Sequence, residues 1–297
     1  MTSTSTAIVD RSELTKTQST LGHIVYVMRE NPVTLVAFLM LAVLLIVGFA
    51  GHLIAPYDPL ASNSSAVLQP PSLTHWFGTD NVGRDVFSRV IIATRLDLQI
   101  SVMAVSLSFV IGAVLGSVAG YWGVWLDAVL SRILDTIMAF PLFVLAMGIV
   151  AALGNTVENI IYATAIINIP FYARLIRAEV NIRRHSGFAT AARLSGNSDL
   201  RVLACHIFPN TLPPVMVQVS LNLGWAILNA AGLSFIGLGV RPPTPEWGIM
   251  VAEGSNFIVS GEWWMAVFPG LALMFAVFTF NLLGDGLRDI VDPRTRK

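Results

Sequence analysis

The sequence predicts an all-α integral membrane protein with six transmembrane helices, on three observations. Of 297 residues, 55% are hydrophobic and 12% charged, with mean hydropathy +0.70, whereas soluble domains carry roughly 25% charged residues. Apolar runs recur that are long enough, at about 1.5 Å per helical residue, to cross about 30 Å of hydrocarbon. The basic residues also segregate to alternate connecting segments.

Residues 1–32 form a polar leader, expected in the cytoplasm. With Arg11, Lys16 and Arg29 it is too long and too mixed in charge for the n-region of a cleaved signal peptide. The first span, 33–54, contains no Asp, Glu, Lys or Arg. An extracytoplasmic loop, 55–97, leads to a five-helix core over 98–287, with spans at 98–121, 136–153, 159–176, 215–238 and 263–283. The fourth must borrow Arg174 or Arg177, whose stems can snorkel to the interface. Residues 288–297 form a tail. This path gathers fourteen of the eighteen basic residues on the side of the termini and leaves Arg84, Arg89, Arg95 and Arg241 opposite. The positive-inside rule then places both termini in the cytoplasm.

Pro141, Pro170, Pro213, Pro214 and Pro269 fall in or beside later spans, where each removes a backbone bond and favours a kink. No acid lies deep in an apolar run, which disfavours a proton- or sodium-coupled carrier. Asp135 is one turn from Arg132 and spaced to pair with it.

Zero formal charge and a pI near 7.0 give no footprint for nucleic acid. The single cysteine, Cys205, excludes an internal disulfide, and no zinc-type Cys/His spacing occurs. The two lysines, Lys16 and Lys297, complete neither a phosphate-binding loop nor a Schiff-base site. The chain is therefore expected to have no catalytic residue, metal or cofactor. Any ATP and Mg would be bound by a different subunit.

Residues 177–210 form a cytoplasmic loop. Its run Gly187-Phe-Ala-Thr-Ala-Ala-Arg-Leu194 favours helix, and Ser195-Gly196-Asn197 breaks it. Ser198 and Asp199 are placed to cap a second helix over 201–207, which Pro209 ends. Small residues at Ala191, Ala192 and Gly196 allow close approach to another protein's groove. Spacing alone fits a capped helix pair without a partner equally well. A DNA-reading helix pair is remote for a neutral, membrane-tethered loop.

Thr190-Ala191-Ala192, then Gly196, then Pro209 resemble the E-A-A…G…L-P loop of bacterial ABC importer permeases. In that family the loop docks on the ATPase, which implies an ATPase-coupling role for Thr190, Ala191, Ala192, Gly196, Asn197 and Pro209. Thr190 stands where the family often has Glu, and Phe208 where it has Leu. The first departure removes a salt bridge and leaves docking by shape.

The segment His75-Trp-Phe-Gly-Thr-Asp-Asn-Val-Gly-Arg-Asp85 is similar to the H-x-F-G-T-D-x-x-G-R-D signature of C-type permeases of dipeptide, oligopeptide and nickel importers. Gly78, Thr79, Asp80, Gly83, Arg84 and Asp85 carry it. Further matches are Ala139-Phe-Pro141, Leu233-Ser-Phe-Ile-Gly-Leu-Gly239 with Pro245-Glu-Trp-Gly248, and Asn281-Leu-Leu-Gly-Asp-Gly-Leu-Arg-Asp289 ending in Asp292-Pro293. The resemblance covers roughly residues 30–294. It implies a type I ABC importer permease fold in a bacterial inner membrane. It also implies a second, B-type permease, two ATPases, an extracytoplasmic binding protein and a peptide-like substrate. Dipeptides, longer peptides, nickel chelates, glutathione and opine-like solutes all stay open.

Within the motif, Asp80, Arg84 and Asp85 can form a charge network around two glycine turns, followed over 85–92 by an amphipathic helix on the membrane surface. It reads either as a brace or as a contact for the binding protein. Glu246, Glu253 and Glu262 are expected as solvated acids of an outer loop, with attraction to a peptide ammonium as the other reading. Gly237 and Gly239 read as a helix ending. Polar residues inside spans are pathway candidates: Ser106, Ser108, Asn168, Asn222, Asn229 and Asn281. Helix-to-helix hydrogen bonding explains them equally well. The rival functional class is a stand-alone channel or secondary carrier.

Overall fold

The computed structural model describes residues 31–291, so most of the leader and the end of the tail lie outside it. The described residues are helical with irregular connections. They comprise α1 (Pro32–Ile54), α2 (Val86–Trp122), α3 (Val124–Met138), α4 (Leu142–Leu153), α5 (Val157–Arg183), α6 (Gly187–Leu194), α7 (Asp199–Arg201), a π turn (Val202–Ile207), α8 (Phe208–Phe235), α9 (Trp247–Ser255) and α10 (Trp264–Val291).

Five helices are long and apolar enough to cross a membrane: α1, α2, α5, the continuous run Asp199–Phe235, and α10. The bent pair α3 and α4 makes a sixth when the two are counted together as one broken span. Helix α1 starts where Asn31 accepts the Val33 N–H at 3.0 Å and Pro32 takes the first turn. Asn31 Nδ2 also donates to Asp289 near the end of α10, at 2.6 Å, so these two helix ends meet on one side of the bundle. The bundle is built on α2 against α5. Gly112, Gly116 and Gly120 form a stripe along α2 that admits the α5 backbone. A methyl at Gly112 would stand 2.6 Å from Tyr172 Cβ, and one at Gly120 would stand 2.7 Å from the Arg177 carbonyl. Small residues at every fourth position allow this approach between membrane helices.

Several expectations need correction. The surface helix expected over 85–92 is the first part of α2, a single 37-residue helix capped by Asp85. Arg89 and Asp97 find partners inside the protein, so nothing ends the helix where hydropathy falls. The third span is not one kinked helix. At Ala139-Phe140-Pro141 the chain turns by 86° between α3 and α4, because Pro141 lacks an N–H and disfavours helical backbone at Phe140. The 12 residues of α4 reach only about 18 Å. Pro170, Pro213, Pro214 and Pro269, by contrast, stay inside their helices.

Asp135 pairs with Arg174 of α5 at 2.5 Å and not with Arg132, while Asp127 pairs with Arg177, also at 2.5 Å. Both bridges hold the polar face of α3 to α5. Pro209 does not end the second loop helix. It lies at the start of α8, directly after the π turn, and the helix runs on to Phe235. The wider turn carries extra backbone per turn and accommodates a ring that a regular α-helix would reject. Ser198 precedes α7 without a side-chain capping bond.

Candidate functional site

The loop expected to dock on a partner folds as a helical hairpin. In α6, Ala189 and Ala192 are buried and join a core cluster with Val180, Val202 and Ile207. Gly187, Thr190, Ala191 and Leu194 are exposed and share one helix face at i, i+3, i+4 and i+7. Ala192 therefore supports the hairpin from within, and only Thr190 and Ala191 of the triplet face outward. Beside them stand apolar side chains without cover from the chain: Phe188 is 44% exposed, Leu200 67% and Leu194 85%.

The bend is closed by backbone geometry. Gly196 has φ +83° with open space around it, and both the backbone N–H and Nδ2 of Asn197 donate to the Ala192 carbonyl, at 3.3 and 2.9 Å. This is a glycine-type helix ending. Gly196 is thus required for its left-handed backbone, and no part of this chain packs against it.

Tyr121, at the end of α2, fastens the hairpin to the bundle. Its hydroxyl donates to Asp199 Oδ1 at 2.6 Å and accepts from Arg193 Nε at 3.4 Å, and the Arg193 guanidinium sits 5.6 Å from its ring centre. Arg184 Nη1 donates to the Tyr121 carbonyl at 2.9 Å. Sequence reasoning missed this anchor, since Tyr121 reads as an aromatic residue at a span end and its partners lie more than sixty positions away.

The loop after α1 carries the second group, at the start of α2. Gly78, Thr79, Asp80, Gly83, Arg84 and Asp85 are all buried. Asp80 accepts from the backbone of Val82 and Arg84 and pairs with Arg84 Nε at 2.5 Å. Arg84 and Arg89 both approach Glu253 of α9, at 3.5 and 3.7 Å. Arg89, 1% exposed, donates Nη1 to the carbonyls of Pro59 and Pro243, at 3.1 and 3.2 Å.

Asp85 caps α2 through the Ser88 N–H and takes His75 Nδ1 on its other oxygen, at 2.8 Å. Thr79 hydrogen-bonds the Ala66 carbonyl and accepts from Trp264 Nε1 on its own carbonyl at 3.1 Å. Phe77 stacks on Phe268 with centroids 3.9 Å apart. The motif thereby clasps the loop, α2, α9 and α10 together. Two of the three acids expected as solvated are internal. Glu246 is fully buried and caps α9 through the N–H groups of Gly248 and Ile249, both at 2.8 Å. Burial pushes its carboxyl above the ordinary carboxylate range, and those two N–H groups pull it back. Glu253 belongs to the arginine cluster, while Glu262 accepts from Ser260.

Of the pathway candidates, Asn168, Asn222 and Asn281 line one cavity of about 300 Å³, together with Gln218, Phe171 and Trp225. Ser108 is buried and bonded to the Val105 carbonyl, Ser106 lies on an exposed face of α2, and Asn229 is bonded to the Trp225 carbonyl. These three stand apart from the cavity. Gln218, which sequence reasoning missed, donates to Asn222 Oδ1 at 2.9 Å. Its spacing of four from Asn222 puts both on one face of α8, a signal present in the sequence.

The binding-protein-dependent transport system inner membrane component family matches residues 112–297, and the N-terminal membrane domain of oligopeptide transport permease C matches residues 19–71. Full-length relatives agree. The dipeptide transport system permease protein of Alkalihalophilus pseudofirmus is 41% identical over 91% of this chain and 88% of its own length. The probable D,D-dipeptide transport system permease protein of Escherichia coli K12 is 41% identical over 91% of each chain. A glutathione transport system permease protein of Escherichia coli O6:K15:H31 is 42% identical over 90% of this chain and 88% of its own. Hairpin, clasp and helical bundle thus belong to a transport component that has no ATPase of its own, and the chain is a member of the binding-protein-dependent transport system inner membrane component family.

Proposed function

We propose that the chain is the C-type permease subunit of an ATP-driven importer for short peptides. It pairs with a B-type permease to form the translocation path, receives solute from an extracytoplasmic binding protein, and couples through its hairpin to one of two ATPases that bind ATP and Mg. Both termini lie in the cytoplasm. The observation that carries this reading is the hairpin face of Gly187, Thr190, Ala191 and Leu194, exposed to a partner while its other side is fastened to α2. Dipeptides and glutathione, named for the relatives, are all short peptides, which supports the solute class.

On this reading, ATP-driven closure of the two ATPases displaces the hairpins, and the permease pair switches the side to which its cavity opens. Reconstitution in liposomes tests it. The full assembly should take up di- or tripeptide only with ATP, and this chain alone should pass none. Solute flux through the chain alone, without nucleotide, would return it to the channel or carrier class.

Two variants test the hairpin's geometry. Thr190 is exposed and bonded only to the Ser186 carbonyl, and it stands where the loop of this family often carries Glu, so Thr190→Glu, unlike a carboxylate at Leu194, should leave assembly and uptake within about twofold. Failure to co-purify with the ATPases would refute that placement. Gly196→Val forces a branched residue into left-handed backbone at a cost of about 1–2 kcal/mol and should lower uptake with membrane insertion intact. Gly196→Asn, which tolerates that backbone, should fall between them.

A further inference from the structure

Arg95 is exposed on α2, and its guanidinium makes no hydrogen bond or ion pair with any described residue. Its depth follows from the packing of α1. A methyl on Gly51 would stand 3.2 Å from the Ile91 carbonyl, and one on Gly48 would stand 3.0 Å from the Leu98 side chain. The two helices therefore run antiparallel, and Arg95 lies near the level of Gly48. That is about 9 Å, at 1.5 Å per residue, inside the end of α1 at Ile54.

Ionisable residues at such depth almost always face the bundle interior or pair with one another. Arg95 does neither. Side chains of a helix lean toward its N-terminus, and α2 begins on the side where α1 ends, so the long stem of Arg95 leads back toward the headgroups on that side. Beneath it a groove of about 360 Å³ opens between α1 and α2. Leu41, Leu45 and Phe49 form one wall, Leu98 and Val102 the other, and Phe280 of α10 the floor. From Arg95 to Val102 the groove follows α2 for about 10 Å, room for the upper part of an acyl chain.

The apolar walls alone select no occupant; the charge at the rim does. A guanidinium is matched by two oxygens of one phosphate, and at the membrane surface phospholipids carry that group with a chain attached below it. A helix of another subunit would have to bring its own acid to Arg95. The first span is also the least covered of the five long ones, with 22% of its apolar window buried, which fits a flank turned to the bilayer.

We propose that Arg95 and the groove beneath it form a binding site for an anionic phospholipid, with its phosphate on the guanidinium and one acyl chain between α1 and α2. The lipid would fill the gap between the first span and the helices behind it. The proposal does not depend on which solute is carried.

The test uses the full chain, purified with the subunits that accompany it, in phosphatidylcholine nanodiscs. In a Cys205→Ser background, Val102→Cys carries a bimane fluorophore, and lipids with a nitroxide on the acyl chain quench it. Nitroxide phosphatidylglycerol should reach half-maximal quenching at a mole fraction at least threefold lower than nitroxide phosphatidylcholine does. Bimane on Leu39→Cys, on the exposed face of α1, should show no such preference. Arg95→Gln should erase the preference at position 102, and Arg95→Lys should keep part of it.

Equal quenching by the two lipids at position 102, or a preference that survives Arg95→Gln, would overturn the site. Quenching at position 39 with none at position 102 would overturn it as well, and would give the groove to a protein partner.

Discussion

Leu194→Glu is expected to abolish ATP-dependent uptake and to strip the ATPase subunits from the purified assembly. Leu194 is 85% exposed in the chain itself, so the substitution should change the stability of the permease by under about 0.5 kcal/mol. On the function proposed above, the same position lies on the face that meets the ATPase, where a carboxylate would be desolvated beside apolar groups. Losses of about 2–4 kcal/mol are usual for a central interface residue, which corresponds to roughly 30- to 1,000-fold in affinity. Pull-down of the ATPases and uptake should fall together, while expression, insertion and thermal unfolding of the permease stay as they are. Normal recovery of the ATPases with the variant would remove this face from the interface.

Arg89→Met should have the largest effect on stability. The substitution keeps much of the side-chain volume and removes the charge that stands between Asp80 and Glu253, together with the donor shared by the Pro59 and Pro243 carbonyls. Removing one member of a buried charge group costs about 3–5 kcal/mol, and the unfolding midpoint should drop by roughly 10 °C. Arg89→Lys keeps the charge without the planar fork and should recover part of that loss. Thermal unfolding in detergent reads both. An unchanged midpoint for Arg89→Met would mean that the clasp is not structural, and would return the motif to the role of a surface for the binding protein.

These two positions also show where the sequence was legible. The hairpin could be read because its signals are local: a helix-forming run, a glycine bend and small residues at short spacing. The outward role of Leu194 needed the structure, since which side of α6 is covered depends on Val202 and Ile207, reached only after the chain folds back. Hydropathy located five spans because a run of uncharged residues has few alternatives in lipid. It divided α2 wrongly because a window treats Arg89 and Asp97 as water-seeking. Asp97, for example, accepts the Trp247 N–H at 3.2 Å from 150 residues away.

The same blindness to distant partners paired Asp135 with its neighbour Arg132 instead of Arg174. It also left Glu246 in solvent when it caps a buried helix. The α3–α4 break was signalled by Phe140-Pro141, but the 86° turn is a tertiary outcome. Pro170 carries the same local signal and leaves α5 unbroken.

The uninterrupted helix Asp199–Phe235 gives the molecule a lever. Its lower arm carries Leu200 beside the hairpin, and about 27 and 33 Å along the shaft, at 1.5 Å per residue, stand Gln218 and Asn222. If the run tilts as one body, a sideways stroke of about 5 Å at the foot becomes a tilt of roughly 10° over that length. Asn168 belongs to a different shaft. On the coupling proposed above, a tilt of this shaft would change the gap between Asn168 and Asn222 without any loop having to carry the signal.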